Sequence, residues 1–474
     1  MGRHPRILRG GSRAVRHLCD ARPSTGEDTM DQRSQQPALG AVHGEAALIR
    51  AVGTFALTAA VINVIIGGGI FRMPAALSTQ VGIAAPIALI AGALAIIPIA
   101  LCFAAVGSRV AATGGPYTYL TAAFGQFAGF IAGALMWISN ITSSAGVAAA
   151  LSEQVANLVP ALAGPVPRAL LITGVYAVLF ALNAFGVKIG ARAIVALATL
   201  KLTPLFLLAA IGIWFVDWNL VSFSVGDVPS WTALGASMAL VMFAYSGMET
   251  ALVPSGELRD PSRNVPRATV AAILLVVLLY LGLQIVGQGV LGAGLGTSKV
   301  PVADTAGALW GPGRILLLIT ACISMTGFMM GNLLGTSRLV YALGRDGYLP
   351  RVFGRVTETH RVPMNALIAH ATPAWILAIA GSFDTLALIS GGAICLVYGL
   401  VSFAAWWAQR KDLRERGDAP FVLPGGPVIP LIAVASMVLV VFTLTSKELT
   451  AIGVALAALV AIYAGLHLNR KRAP

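Results

Sequence analysis

The chain has 474 residues, of which 57% are apolar and only 11% charged, with a mean hydropathy of +0.83. A soluble domain carries about 25% charged residues, so this composition excludes a water-soluble fold and places the chain in lipid. The formal charge of +13 does not point to nucleic acid, because the arginines are scattered between apolar runs and form no basic stripe.

The first 46 residues are rich in Arg and poor in apolar sequence, and are expected to form a disordered cytoplasmic arm. Their composition also resembles an organellar transit peptide, and Met30 offers an alternative start. No secretory signal peptide is visible. Beyond this arm, a spanning helix needs roughly 20 apolar residues to cross a hydrocarbon core of about 30 Å. That ruler predicts twelve transmembrane helices, at 51–78, 84–107, 118–150, 168–186, 191–217, 232–256, 267–292, 312–343, 364–381, 384–409, 427–445 and 448–467.

Alternate loops differ sharply in basic charge. One set holds Arg109, Lys188 with Arg192, Arg259, Arg263 and Arg267, then Arg345, Arg351, Arg355 and Arg361, then Arg410, Lys411, Arg414 and Arg416, and finally Arg470, Lys471 and Arg472. The other holds Arg168, Lys299, Arg314 and Lys447. Cytoplasmic loops carry the excess of Lys and Arg, so both termini are expected in the cytoplasm, with the chain a multi-pass protein of the plasma membrane. Cys19, Cys102, Cys322 and Cys395 show no metal-ligand spacing, and the last three read as small buried hydrophobes.

Two predicted helices are interrupted by glycine at corresponding places in the two halves: Ile65-Ile66-Gly67-Gly68-Gly69-Ile70-Phe71 and Phe243-Ala244-Tyr245-Ser246-Gly247-Met248-Glu249. Unwound backbone inside a bilayer leaves amides and carbonyls unpaired, which is tolerated only where protein, water or a ligand takes them up, and paired breaks point to a solute site at the membrane midplane. The first break lies about 16 residues into its helix, roughly 24 Å deep at 1.5 Å per residue. Its three glycines accept φ > 0 and let a ligand approach, while the positive N-terminal end of the following half-helix favours a carboxylate. The second break ends a half-helix in free carbonyls near Ala244 to Gly247, which suit an ammonium group. Donors facing acceptors make a receptor for a zwitterion, so an α-amino acid is the expected solute. The expected substrate-binding residues are Ile66, Gly67, Gly68, Gly69, Phe243, Ala244, Tyr245, Ser246 and Gly247, with Phe243 and Tyr245 either gating the ligand or packing in the core. A close-packing seam is the competing use of Gly67 to Gly69.

Ionisable residues inside a membrane are costly and mark function by default. Lys201 stands deep in the fifth predicted helix. Alternating between wet and dry surroundings, a lysine can load and release a proton; snorkelling to the interface is the competing reading. Glu249, directly beyond the second break, is the other proton-coupling candidate, or else a tie for the broken helix. Arg72 is expected to snorkel or to pair with a carboxylate. Asn63, Asn140, Asn332 and His370 read as interhelical glue. The sequence has no HExxH, Gly-x-Ser-x-Gly, paired carboxylates or nucleotide-binding loop, so neither an enzyme nor a cofactor is expected, and no repeated filter or ring of charge suggests a channel.

Five motifs, in order, resemble the amino acid–polyamine–organocation (APC) superfamily of permeases. They are Ile66-Gly67-Gly68-Gly69-Ile70-Phe71, Gly114-Gly115-Pro116-Tyr117-Thr118-Tyr119, the second break, Glu257 to Ala268, and Ser337 to Pro350. The resemblance runs from about residue 47 to the end. It implies an all-α, LeuT-like (APC) fold of 5+5 inverted repeats, about 51–217 and 232–409, with helices 1 and 6 discontinuous. A ten-helix transport core (47–410) would precede two peripheral helices and a cytoplasmic C-terminus (411–474). It also implies alternating access, helices 1 and 6 rocking against helices 3, 4, 8 and 9. Lys201 resembles a built-in cation in place of the sodium ion of related sodium-coupled carriers. Apart from Glu249, the mid-membrane segments offer no carboxylate, so small or neutral amino acids are the expected substrates, taken up with protons. The alternatives are an amino acid/product exchanger, including one for cationic amino acids or polyamines, and a non-transporting sensor. The expected partners are the amino acid, protons and the bilayer, with the chain a monomer or homodimer.

Overall fold

Backbone amides surrounded by hydrocarbon need partners within the chain, and the described residues meet that demand with helices and no strand. The computed structural model describes residues 53–472 apart from 111–113, 186–190, 254–257, 259, 359, 361, 415–418 and 444–445. The predicted N-terminal arm, Cys19, Lys188, Glu257, Arg259, Arg361 and Arg416 therefore lie outside the described residues.

Helices α1 (Thr54–Ile65) and α2 (Gly69–Val81) share the first predicted span, and α3 (Ala85–Gly107) takes the second. Next come α4 (Pro116–Phe124), α5 (Gln126–Leu158), α6 (Pro165–Ala184) and α7 (Ala191–Gly212). The sixth span divides into α8 (Trp231–Tyr245) and α9 (Met248–Ala251), and α10 (Pro261–Leu291) follows. After α11 (Pro301–Leu309) come α12 (Gly313–Arg345), α13 (Met364–Ala380), α14 (Phe383–Arg410), α15 (Val428–Thr443) and α16 (Ser446–Arg472). Among the described residues, seven helical stretches are long and apolar enough to cross a membrane, and five shorter apolar helices accompany them. The protein is a polytopic, all-helical membrane protein.

Two differences from the sequence expectation have local causes. The third predicted span, 118–150, is interrupted: Gly125 takes φ +86, ending α4 after its N–H bonds to Thr121 O, and α5 restarts at Gln126 to run on to Leu158. Helix α11 was invisible to a ruler of about 20 residues, being a 9-residue helix opened by Pro301 at its first turn.

Burial is inverted relative to a soluble protein. Leu94, Leu170 and Phe442 are 67%, 69% and 79% exposed, whereas Lys201 and Glu249 are 1% and 3% exposed. Apolar side chains face the lipid and polar ones face one another, as hydrocarbon solvent demands. Helix α5 packs on α12, α13 and α14, and α10 packs on α3 and α1. The half-helices α1, α2, α8 and α9 lie among these longer elements.

Candidate solute-binding site

The first break begins where α1 ends at Ile65. Ile66 leaves helical geometry (φ −79, ψ 66), and the N–H of Gly67 turns back to Ile65 O at 2.8 Å. None of Gly67, Gly68 and Gly69 takes a positive φ, contrary to the expectation from their sequence. Space is the reason at Gly67 and Gly68: a Cβ at Gly67 would lie 2.6 Å from the Phe328 ring, and one at Gly68 2.8 Å from Val147 Cγ2. The carbonyls that α1 leaves unpaired are taken up by side chains. Lys201 Nζ donates to Asn63 O at 2.8 Å and Ile66 O at 2.6 Å. Ser324 Oγ lies 2.7 Å from Ile66 O and 3.0 Å from Gly67 O, and Tyr280 donates to Ile65 O at 3.2 Å. The opposite holds for α2: the Phe71 N–H bonds Gly68 O at 3.2 Å, the amides ahead of it have no carbonyl within the helix to bond, and Gly69 lines a cavity.

The second break is built differently. Helix α8 ends at Tyr245, Ser246 is extended, and Gly247 takes φ +128 before α9 begins. This position needs glycine twice over. Its φ is open only to glycine at low cost, and an added Cβ would stand 3.0 Å from Ile65 N and 3.1 Å from the carbonyl carbon of Val64. The two breaks thus meet backbone to backbone. Glu249 caps the short α9: both carboxylate oxygens accept the Gly247 N–H at 3.0 Å, and Tyr398 donates to Oε2 at 2.6 Å. Behind it, Gly114 N–H bonds Val253 O at 2.9 Å, and Gly115, at φ +57, leaves only 3.2 Å between an added Cβ and Glu249 O. The glycine pair that opens α4 therefore abuts the second broken helix.

Between the breaks lies a cavity lined by Gly67, Gly68, Gly69, Phe243, Ser246, Gly247 and Glu249. Ile66, Ala244, Tyr245 and Lys201 are not in its lining. Tyr245 stacks on Tyr280 at 5.5 Å and directs its hydroxyl to Leu89 O at 3.4 Å, so it packs in the core instead of covering a ligand. Lys201 faces the carbonyl end of α1. Sequence reasoning took Asn140 of α5 for interhelical glue and passed over Ser139 and Ser143 of the same helix, Thr250, Phe328 and Ser390; all six line the cavity as well. The available signal was the polar 139, 140, 143 spacing, which puts three polar side chains on one face of an otherwise apolar helix. Ser139 and Ser390 are engaged with each other: each hydroxyl bonds the other's backbone carbonyl, at 3.1 and 3.0 Å.

Phe243, which lines the cavity, belongs to an aromatic and ionic stack that reaches α2. Phe243 meets Phe383 edge to face at 5.7 Å, and the Arg72 guanidinium sits 5.9 Å above Phe383. Arg72 pairs with Glu153 at 3.2 Å and Asp384 at 3.7 Å and donates to Lys299 O at 2.8 Å. It joins the second half of the first broken helix to α5 and α14.

Two discontinuous helices meeting at a small cavity, inside a bundle whose outer surface is apolar, define a membrane permease. The chain belongs to the amino acid permease family of the APC superfamily, whose profile matches residues 52–466. It is 28% identical over 392 residues to the serine/threonine exchanger SteT of Bacillus subtilis (strain 168), covering 80% of this chain and 87% of that protein. With the branched-chain amino acid permease BcaP of the same organism it shares 27% identity over 430 residues, 85% of this chain and 90% of that one. The human b(0,+)-type amino acid transporter 1 is 26% identical over 439 residues, 89% and 87% of the two chains.

Proposed function

We propose that this permease is a secondary active transporter of small or neutral amino acids, moving the zwitterion by alternating access and coupling uptake to protons. The observation that carries the reading is the convergence of the two breaks on one cavity. The amide-bearing N-terminus of α2 is suited to a carboxylate, and the carbonyl end of α8 is suited to an ammonium. In this reading the chain spans the plasma membrane twelve times with both termini cytoplasmic, in two inverted repeats of five helices plus two peripheral ones. It carries no cofactor and performs no covalent chemistry.

Lys201 supports the proton half of the proposal. Its ammonium occupies the negative end of α1, where a sodium ion would otherwise be attracted, and a change in its charge alters how tightly the first broken helix is held. The substrate class follows from the lining. Glu249 is the carboxylate of the cavity lining, and its oxygens already accept the Gly247 N–H and the Tyr398 hydroxyl, which ties it to the second break and makes it a poor partner for a cationic side chain. Exchange is the second reading, favoured by the exchanger among the relatives.

Uptake of radiolabelled amino acids into proteoliposomes tests both. Accumulation in empty vesicles that follows an inward proton gradient supports symport, and uptake only into vesicles preloaded with amino acid supports exchange. Substrate binding without flux in either condition would replace the transporter by a sensor.

A further inference from the structure

The last helix, α16, packs on α5 and α14, and Leu456, Leu459 and Tyr463 form the partly buried face that it turns to the core. The Tyr463 ring lies 5.0 Å from Phe127, 5.5 Å from Phe130 and 6.1 Å from Tyr348, on which it stacks with an interplanar angle of 22°. Tyr348 in turn meets Tyr117 of α4 edge to face at 6.2 Å, and the Tyr117 hydroxyl donates to Asp346 Oδ2 at 2.6 Å. Tyr117 and Tyr348 are both buried. A line of side chains thus runs from the end of the chain into the bundle.

Backbone geometry makes this line a mechanical link. Helix α12 ends in a Schellman cap: Gly347 takes φ +79, the Tyr348 N–H bonds Leu343 O at 2.8 Å, and the Gly347 N–H bonds Gly344 O at 3.2 Å. The cap fixes Asp346 and Tyr348 to one another, and Arg345 Nε holds the Asp346 carboxylate at 2.8 Å. At the far end, Tyr117 stands in the first turn of α4, just after the Gly114–Gly115 pair. That pair abuts the second broken helix, through the Gly114 N–H on Val253 O and the close approach of Gly115 to Glu249 O. A ring from α16 therefore bears, through the cap and one hydrogen bond, on the surface against which α9 is seated.

We propose that Tyr463 is a positioning residue for the transport cycle. The last helix braces the Asp346 cap, the cap holds Tyr117, and Tyr117 keeps the first turn of α4 in place against α9. Gly114 and Gly115 carry no side chain that could absorb a shift, so α9 loses its seat when α4 moves. The brace therefore favours the state closed at the α4 end. The inference rests on the reading that the cavity opens alternately to the two sides. Tyr463, Tyr348, Tyr117 and Asp346 do not line the cavity, so they act on its opening and not on contacts with the solute.

The test uses Ser246→Cys in a full-length chain without its native cysteines, reconstituted in vesicles with no amino acid present. A membrane-impermeant thiol reagent is applied to one side and then, separately, to the other. Tyr117→Phe removes the hydroxyl and keeps the ring, and Tyr463→Leu removes the ring and keeps an apolar side chain. Each is expected to raise labelling from the side on which α4 begins at least threefold, the scale of one hydrogen bond or one aromatic pair, and to lower it from the opposite side. The double variant should label no faster than Tyr117→Phe alone, because Tyr463 acts through that hydroxyl, and Tyr463→Phe should match the unmodified residue. An unchanged rate in Tyr463→Leu, independent effects in the double variant, or faster labelling from both sides would each overturn the proposal while leaving transport intact. Should Tyr463→Leu fail to insert, Tyr348→Leu, which removes the middle ring and is expected to behave alike, decides. Labelling confined to one side in every variant would remove alternating access and this inference together.

Discussion

Lys201 Nζ lies 2.6 Å from Ile66 O, placing a cation from α7 at the carbonyl end of α1. The same nitrogen reaches Asn63 O at 2.8 Å, so one side chain takes up two of the acceptors exposed by the first break. Lys201→Ala leaves those carbonyls without their charged donor, a loss of about 1.5–3 kcal/mol per bond to a charged group. Proton-driven accumulation is expected to disappear in this variant. Lys201→Arg keeps the charge but cannot release a proton, so it is expected to bind substrate and still fail to accumulate it against a gradient. Uptake with and without the gradient, beside equilibrium binding, separates the two effects.

Alanine at the breaks should act through contacts that differ in kind. At Gly67 the new methyl meets the Phe328 ring, a side chain that can be trimmed. Gly67→Ala is therefore expected to weaken amino acid binding at least tenfold, and Phe328→Ala in the same chain to recover part of the loss. At Gly247 the methyl meets the backbone of Val64 and Ile65, and φ is +128. No side-chain change relieves that, so Gly247→Ala should resist rescue. Isothermal titration of the purified variants reads both.

Glu249 acts as a cap in this conformation. Its carboxylate holds the Gly247 N–H and receives the Tyr398 hydroxyl. Glu249→Gln retains one acceptor oxygen and should keep most of the thermal stability, whereas Glu249→Ala should lose about 1–2 kcal/mol, the scale of a lost cap. The midpoint of thermal unfolding in detergent distinguishes them. If Glu249→Gln keeps stability but abolishes the proton dependence of uptake, the carboxyl also titrates during transport.

The Arg72 stack ties α2 to Glu153 and Asp384. Arg72→Ala should free this half-helix and raise the rate at which a cysteine introduced at Ser246 reacts with a membrane-impermeant thiol reagent added from the outside, about fivefold or more if the clamp contributes about 1 kcal/mol. An unchanged rate would show that Arg72 does not restrain access to the site.

Acidity should act on the site and leave the loop beyond α14 unaffected. Arg414, and after it Arg109, hold the Asp412 carboxyl below the usual carboxylate range. A depressed value means that the tie is complete above the unfolded value of about 3.9 and is lost only as pH falls through the lower folded value. Between about pH 5.5 and 8 it is constant. Asp412→Asn should therefore leave the shape of the uptake–pH profile unchanged over that window, as measured by initial rates.

Much of the architecture was legible because lipid restricts the choices. Apolar runs of spanning length become helices, and the breaks at Gly67 to Gly69 and at Gly247 stand out against them. The sequence did not reveal how side chains rotate about those helices. Phe243 and Tyr245 are two residues apart, yet one lines the cavity and the other stacks on Tyr280, a difference fixed by the rotation of α8 against α3 and α10. Asn140, Asn332 and His370 each looked like isolated glue. A single polar residue in an apolar helix carries the same signature whether it meets a neighbour or a solute, and only the packing of α5, α12 and α13 brings these three together. Gly125 escaped notice because a positive φ leaves no mark in an apolar count.

The most direct test of the central claim, that the two breaks hold the two charged ends of an amino acid, is equilibrium binding of a transported amino acid beside its methyl ester and its N-acetyl derivative. The zwitterion should bind, and each blocked form should bind at least a hundredfold more weakly, because each removes one charge-assisted contact worth about 1.5–3 kcal/mol and leaves a helix end unpaired. Binding of the ester or the acetyl derivative as tight as that of the parent amino acid would contradict the account.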